Sequence, residues 1–219
     1  MSYEINTLTA DCYEGTTCLI NKFGITNEKQ LKKIEADITF AKASELEENP
    51  IKGNFDLEHY KAIHNFLFED IYDWAGKLRT VNISKKGTIF ADIYELETLC
   101  IKCFNRIKSN NYFQNLSFEN FINNMVDLYC TLNILHPFRE GNGRTERIFI
   151  TRYGRRSECD RKGNGRTERI FITQLLRLNG YDINFSEIDS DYLMISTIQA
   201  AHGITDNLIK IFSRYIYKI

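Results

Sequence analysis

The chain has 219 residues, with 28 Lys and Arg against 29 Asp and Glu, and 43% of it is hydrophobic. Charge this close to balance removes the basic excess of a nucleic-acid coat or a polybasic membrane binder. The apolar fraction is enough for a core, so disorder and fibre are excluded and one domain over 1–219 is expected. Charge-free stretches fall far short of the roughly 18 residues of a membrane span. The start MSYEINTLTADCYEG lacks the basic-then-apolar order of a signal peptide, so the expected location is cytoplasmic, or outside the cell by signal-independent export.

Two prolines in 219 residues point to long helices. From Asn27 to about Glu48, Leu31, Ile34, Ile38 and Ala41 recur at helical steps until Pro50. Asp56 suits the N-cap of a second helix through about Tyr72, with Tyr60, Ile63, Leu67 and Ile71 on one stripe. Between 79 and 91 the pattern changes. Val81 and Ile83 alternate with Asn82 and Ser84, Lys85-Lys86-Gly87 turns the chain, and Thr88-Ile89-Phe90 returns, which predicts a short β-hairpin resting on the helices. Helical spacing resumes over 93–107, then from the N-cap Ser117 to Leu135, and this run leads straight into His136-Pro137. Leu175, Leu176 and Leu178 before Gly180 predict a helix with a glycine stop, followed by helices near 191–201 and 205–218. The predicted fold class is mainly α with one hairpin. The six cysteines at 12, 18, 100, 103, 130 and 159 read as reduced thiols, because no secretory signal is there to take them to an oxidising compartment, and Cys100 and Cys103 have no second pair with which to complete a zinc site.

The eleven residues GNGRTERIFIT occur at 141–151 and again at 163–173, separated by a basic spacer, 152–162. A solenoid needs three or more units, so this is a local duplication with a 22-residue period. The spacer, rich in Arg and Lys and poor in large apolar residues, reads as an exposed loop or a helix extension.

Residues 136–147, HPFREGNGRTER, carry the chemistry. A glycine-containing loop runs into a helix start, so backbone N–H groups and the positive helix end face an anion. Asn142 can donate to that anion, and Arg144 and Arg147, three apart, can reach phosphate oxygens together. His136 can take a proton near neutral pH, and Glu140 offers a hard oxygen for Mg²⁺ held against phosphates. Phe138 reads as an apolar anchor.

This segment matches HxFx(D/E)GNGRxxR at every defined position, and the chain resembles the Fic family of protein adenylyltransferases with the Fido fold. The likeness extends to Asn21-Lys22-Phe23-Gly24-Ile25, Ile51-Lys52-Gly53-Asn54-Phe55, Trp74-Ala75-Gly76-Lys77-Leu78-Arg79, the hairpin and Gly180-Tyr181. The resemblance implies a helical bundle with a hairpin flap, and transfer of AMP from ATP to a Ser, Thr or Tyr hydroxyl of a target protein. His136 would be the base and Glu140 the Mg²⁺ ligand. Gly141, Asn142 and Gly143 would form the anion hole, with Arg144 and Arg147 on the triphosphate. The flap would dock the target by strand-like pairing. Lys86 would reach the nucleotide or the target, or else be a solvated turn lysine. Glycine at 143, where Doc-type kinases carry lysine, favours adenylylation over phosphorylation. Implied partners are ATP and a protein substrate, with no nucleic acid and no membrane; a homo-oligomer or a regulatory partner stays open.

The second copy has Glu158, Asp160 and Lys162 at the histidine, phenylalanine and acidic positions, so it lacks both base and metal ligand. Continuity with His136 favours the first copy as the one that packs in the core, although the leucine-rich continuation follows the second. A catalytically impaired nucleotide- or partner-binding module, inactivated by the duplication, is the alternative function, and removal of AMP a variant on the same residues. Ser44 and Glu48 fit the family's inhibitory pattern (S/T)xxxE(G/N) at the end of the first helix, where a solvated acidic face is the competing explanation.

Overall fold

Side-chain caps set the helix boundaries. In the computed structural model, which describes residues 11–85, 88–141 and 166–219, helix α1 spans Glu28–Glu48 and α2 spans Leu57–Phe68. The Asn27 and Asp56 side chains accept from the Gln30 and His59 amides at 3.0 and 2.8 Å, satisfying donors that a helix start leaves open. Strands β1 (Ser84–Lys85) and β2 (Thr88–Ile89) form the predicted hairpin, antiparallel with Ser84 opposite Ile89. Helix α3 (Ile93–Ser109) is capped by Asp92 and α4 (Phe118–Leu135) by Ser117. Helix α5 (Arg166–Leu178), β3 (Tyr181–Ile183), α6 (Ser190–Ala201), α7 (Asp206–Tyr215) and β4 (Ile216–Lys218) complete the described chain. Lys86, Asn142, Gly143, Arg144, Arg147 and the basic spacer 152–162 lie outside the described residues.

The mainly α architecture with a hairpin agrees with the sequence. The C-terminal part differs: the last helix ends at Tyr215, and the chain then pairs as β4 with β3, Ile183 opposite Ile216. Helix α2 also stops four residues before Tyr72.

Helix α4 lies at the centre and buries Phe121, Ile122, Met125, Leu128 and Leu132. Against α2 and α3 it helps enclose a cluster of rings: Tyr60 lies 5.5 Å from Phe138 and 5.2 Å from Phe171, and Phe104 5.5 Å from Phe171. Phe171, 0% exposed, is the hub of that cluster and belongs to the second copy of the repeat.

The expectation that the first copy takes this place is therefore corrected: the helix that carries the second copy and its continuation fills it, through Phe171, Ile172, Leu175 and Leu176, all 0% exposed, while residues 142–151 of the first copy lie outside the described residues. Each copy supplies Phe-Ile, but the next turn differs. After the second copy come Leu175 and Leu176; the matching positions after the first hold Tyr153 and Gly154. Two buried leucines contribute about 1.5–3 kcal/mol each over exposure. A glycine contributes nothing and weakens a helix interior by about 1 kcal/mol.

Candidate active site

The Leu135 end of α4 delivers the signature loop. His136 caps that helix in the left-handed region (φ 44°, ψ 60°) and is 1% exposed. Its Nδ1–H donates to the Asn133 carbonyl at 2.9 Å, which puts the acceptor lone pair on Nε2. Phe90, just after β2, stacks on the imidazole at 3.8 Å, covering a face of the ring. Burial, with help from the Arg79 charge, holds the imidazole down at about 3, so it is neutral at physiological pH.

Arg79 ties the flap to this loop. Its backbone N–H donates to Pro137 O at 2.9 Å, and its guanidinium donates to the His136 and Val81 carbonyls at 2.9 Å and also to that of Ala91. The Ala91 amide in turn donates to Ile134 O at 3.1 Å. One 5%-exposed guanidinium thus sets both ends of the hairpin against the candidate base.

Further along, Phe138 is the buried anchor the sequence predicts, stacked between Tyr60 and His64. Arg139, 5% exposed, pairs with Asp11 at 3.4 Å. The Glu140 carboxylate is half-buried and accepts from the Gly141 amide at 3.1 Å. Burial raises its carboxyl above the usual range. Glu35 on α1 is 6% exposed, accepts from the Tyr72 hydroxyl at 2.6 Å, and is likewise raised, first by burial and then by the Glu140 charge, while the Arg166 charge opposes this. Gly141 sits at φ +79°, and a Cβ there would lie 2.5 Å from the Phe68 ring, so only glycine lets the loop pass.

Joined to the end of α4 by the Asn133–Glu168 hydrogen bond, the first turn of α5 carries Arg166-Thr167-Glu168-Arg169, identical to residues 144–147. Burial, with the Arg169 charge, lowers Arg166 only to about 10, so it stays a cation. Arg166 and Arg169 line a cavity of about 340 Å³ whose α1 wall is Phe40, Ala43, Ser44 and Glu47. Ser44, whose hydroxyl donates to Phe40 O, faces that cavity, whereas Glu48 is exposed.

The structure thus brings together His136, Glu140, Gly141 and the flap. Asn142, Gly143, Arg144, Arg147 and Lys86 are outside the described residues. Sequence reasoning missed His64, Glu35, Asn133 and Glu168. The one available signal for His64 was a histidine next to the apolar stripe of α2. Glu168 is 2% exposed, accepts from Asn133 Nδ2 at 3.3 Å, and is raised to about 8 by burial. Cys100 and Cys103 are buried, with thiols pushed up to about 12, and the described residues contain no group of three or more metal-ligating side chains. No described helix is long and apolar enough to cross a membrane.

Residues 54–153 match the Fic/DOC family. The chain is 31% identical over 191 residues to the protein adenylyltransferase VbhT of Bartonella schoenbuchensis, covering 87% of this chain and 35% of that protein. To a Salmonella typhimurium protein named "Probable protein adenylyltransferase Fic" it is 34% identical over 138 residues, 63% of this chain and 68% of that one. Its fold superposes with a TM-score of 0.77 and 26% identity on the N-terminal Fic domain of a VirB-translocated Bep effector protein from Bartonella quintana, solved with bound ADP. That match covers 95% of this chain and 94% of that one. With the whole signature in its sequence, the flap stapled to it and relatives of this similarity, the chain belongs to the Fic/DOC family.

Proposed function

We propose that this chain transfers AMP from ATP to a Ser, Thr or Tyr hydroxyl of a target protein docked along the flap. The observation that carries the reading is the Arg79 staple, which holds the hairpin beside the one histidine at the head of the signature loop. In the reaction the hydroxyl oxygen bonds to the α-phosphorus, the bond from that phosphorus to the α,β-bridging oxygen breaks, pyrophosphate leaves, and His136 Nε2 takes the hydroxyl proton. A bound triphosphate beside His136 supplies the negative charge that raises the imidazole toward a useful basicity.

Glu140 fits Mg²⁺: it is a half-buried carboxylate whose ionised form a cation would restore, and Mg²⁺ characteristically takes one or two carboxylates plus substrate phosphates. The ion supplies charge neutralisation on the phosphates. Gly141, with Asn142 and Gly143, belongs to the anion cradle. For the arginines, the bonds of Asn133 to both His136 and Glu168 favour a composite site, in which His136 to Gly141 come from the first signature and Arg166 and Arg169, on the same turn as Glu168, replace Arg144 and Arg147. Lys86 at the flap turn reaches the nucleotide or the target. We take the reaction to be cytoplasmic, where ATP is available.

A second reading, a nucleotide-binding module without transfer, is favoured by the separation of Gly141 from Arg166 by residues 142–165. Incubation with α-labelled ATP and Mg²⁺ separates the two. Label on protein that disappears in His136→Ala supports the enzyme; nucleotide binding without label supports the module. Deleting 141–162 rejoins HPFRE to GNGRTERIFIT. Transfer by that shorter chain and not by the full one assigns inactivation to the duplication.

A further inference from the structure

His64 lies outside the signature, on α2, and is 0% exposed. Its Nδ1 accepts the Gly76 amide at 2.9 Å, and since a backbone N–H can only donate, the ring proton must sit on Nε2. That Nε2–H donates to the Glu140 carbonyl at 3.0 Å. Phe138 stacks on the ring at 3.8 Å and Phe68 at 4.6 Å, so it cannot turn away from either partner. The Cβ that any other residue would add at Gly141 would come within 3.2 Å of Nε2, which shows how closely the loop backbone is drawn onto this nitrogen. On the other side, Gly76 has φ +74° and its own Cβ position is blocked by Asn65 at 2.8 Å. The turn that starts the flap and the loop that carries Glu140 are therefore held by the two nitrogens of one imidazole.

We propose that His64 is the positioning residue for Glu140: its Nε2–H holds the Glu140 backbone so that the carboxylate points at the Mg²⁺-nucleotide rather than swinging with the loop. This rests on the metal role given to Glu140 above. Two substitutions separate the ring's two jobs. In His64→Asn the side-chain oxygen falls near Nδ1 and keeps the Gly76 contact but cannot reach Glu140. In His64→Gln the side-chain nitrogen falls near Nε2 and keeps the donor to Glu140.

In the full chain without ligand, amide exchange of residues 136–141 is expected to speed up about tenfold in the Asn variant and to stay near wild type in the Gln variant. In calorimetric titrations, the Mg²⁺ concentration that half-saturates ATP binding should rise about tenfold for Asn and little for Gln, with metal-independent ATP binding unchanged. Equal effects in both variants, or none in either, overturn the proposal, because a ring that only packs does not distinguish donor from acceptor. Nitrogen NMR of the wild type gives a check that needs no variant: Nε2 should carry the proton at pH 7, and the opposite tautomer refutes the assignment. If wild-type ATP binding ignores Mg²⁺, the role of Glu140 fails, while the exchange data still decide whether His64 holds the loop.

Discussion

The two copies of GNGRTERIFIT are identical, yet one is preceded by HPFRE and followed by Arg152-Tyr153-Gly154, and the other is preceded by CDRK and followed by Gln174-Leu175-Leu176. The helix that packs in the core is the one with the leucines. The residues before the first copy put a histidine and a carboxylate, His136 and Glu140, directly ahead of it, and the residues after the second copy give its helix a stripe that packs against α2 and α4. Eleven shared residues settle neither, because burial is a property of the whole turn-by-turn stripe rather than of a motif.

Paired substitutions at matching positions of the copies break or sharpen this comparison. The largest effect is expected from Phe171→Ala, which empties the hub of the ring cluster and should cost about 3–5 kcal/mol in denaturant unfolding. Phe149→Ala should cost far less, because Phe171 fills that space. Equal losses from the two would mean that the copies exchange places.

Stability should also change with pH, by a smaller amount. Burial holds His64 and His136 down at about 3. Below their ordinary value of 6.5 the unfolded chain binds protons that the folded one does not, so stability falls as pH drops from 6.5 toward 3. Glu168, raised from 4.5 to about 8, acts in the opposite sense: between those values the folded chain keeps a proton that the unfolded one has lost, and stability falls as pH rises. Glu35, also raised to about 8, adds to Glu168, so two carboxyls offset the two histidines from about pH 4.5 to 6.5, and the unfolding temperature should be highest there. Above that, the Glu168 contribution amounts to a decline of about 2 kcal/mol by pH 8, which Glu168→Gln should remove and Glu146→Gln should not.

The smallest expected effect is on ligand affinity. Arg166→Ala with Arg169→Ala should weaken ATP binding about tenfold, roughly 1.4 kcal/mol, whereas Arg144→Ala with Arg147→Ala should change it less than about twofold. The reverse order would return the phosphate contacts to the first copy and defeat the composite site.

Much of the fold was legible, for local reasons. Asn27, Asp56 and Ser117 each cap the helix the sequence predicts, because a short polar side chain just before an apolar stripe can satisfy the first open N–H groups wherever the helix later packs. The hairpin was legible from alternation and a Lys-Lys-Gly turn, though its paired strands are only two residues each. The last strand was not legible. Ile216-Tyr217-Lys218 continues the helical spacing of α7, and only the presence of β3 alongside turns it into a strand. In the site, His136, Phe138 and Glu140 stood out because their spacing is short and contiguous. His64 and Glu35 did not, since each reaches the signature loop from a helix far away in sequence.

By itself, then, the sequence determined the helix starts, the hairpin and the presence of a histidine, a carboxylate and a glycine-rich run within a few residues, all of which depend on neighbours along the chain. Only the tertiary structure decided which copy of the repeat lies in the core, that Arg79 joins flap to loop, and that one buried imidazole bridges Gly76 and Glu140. These depend on which surfaces can be excluded from water together, and that choice is made by the whole set of packed helices rather than by any one segment.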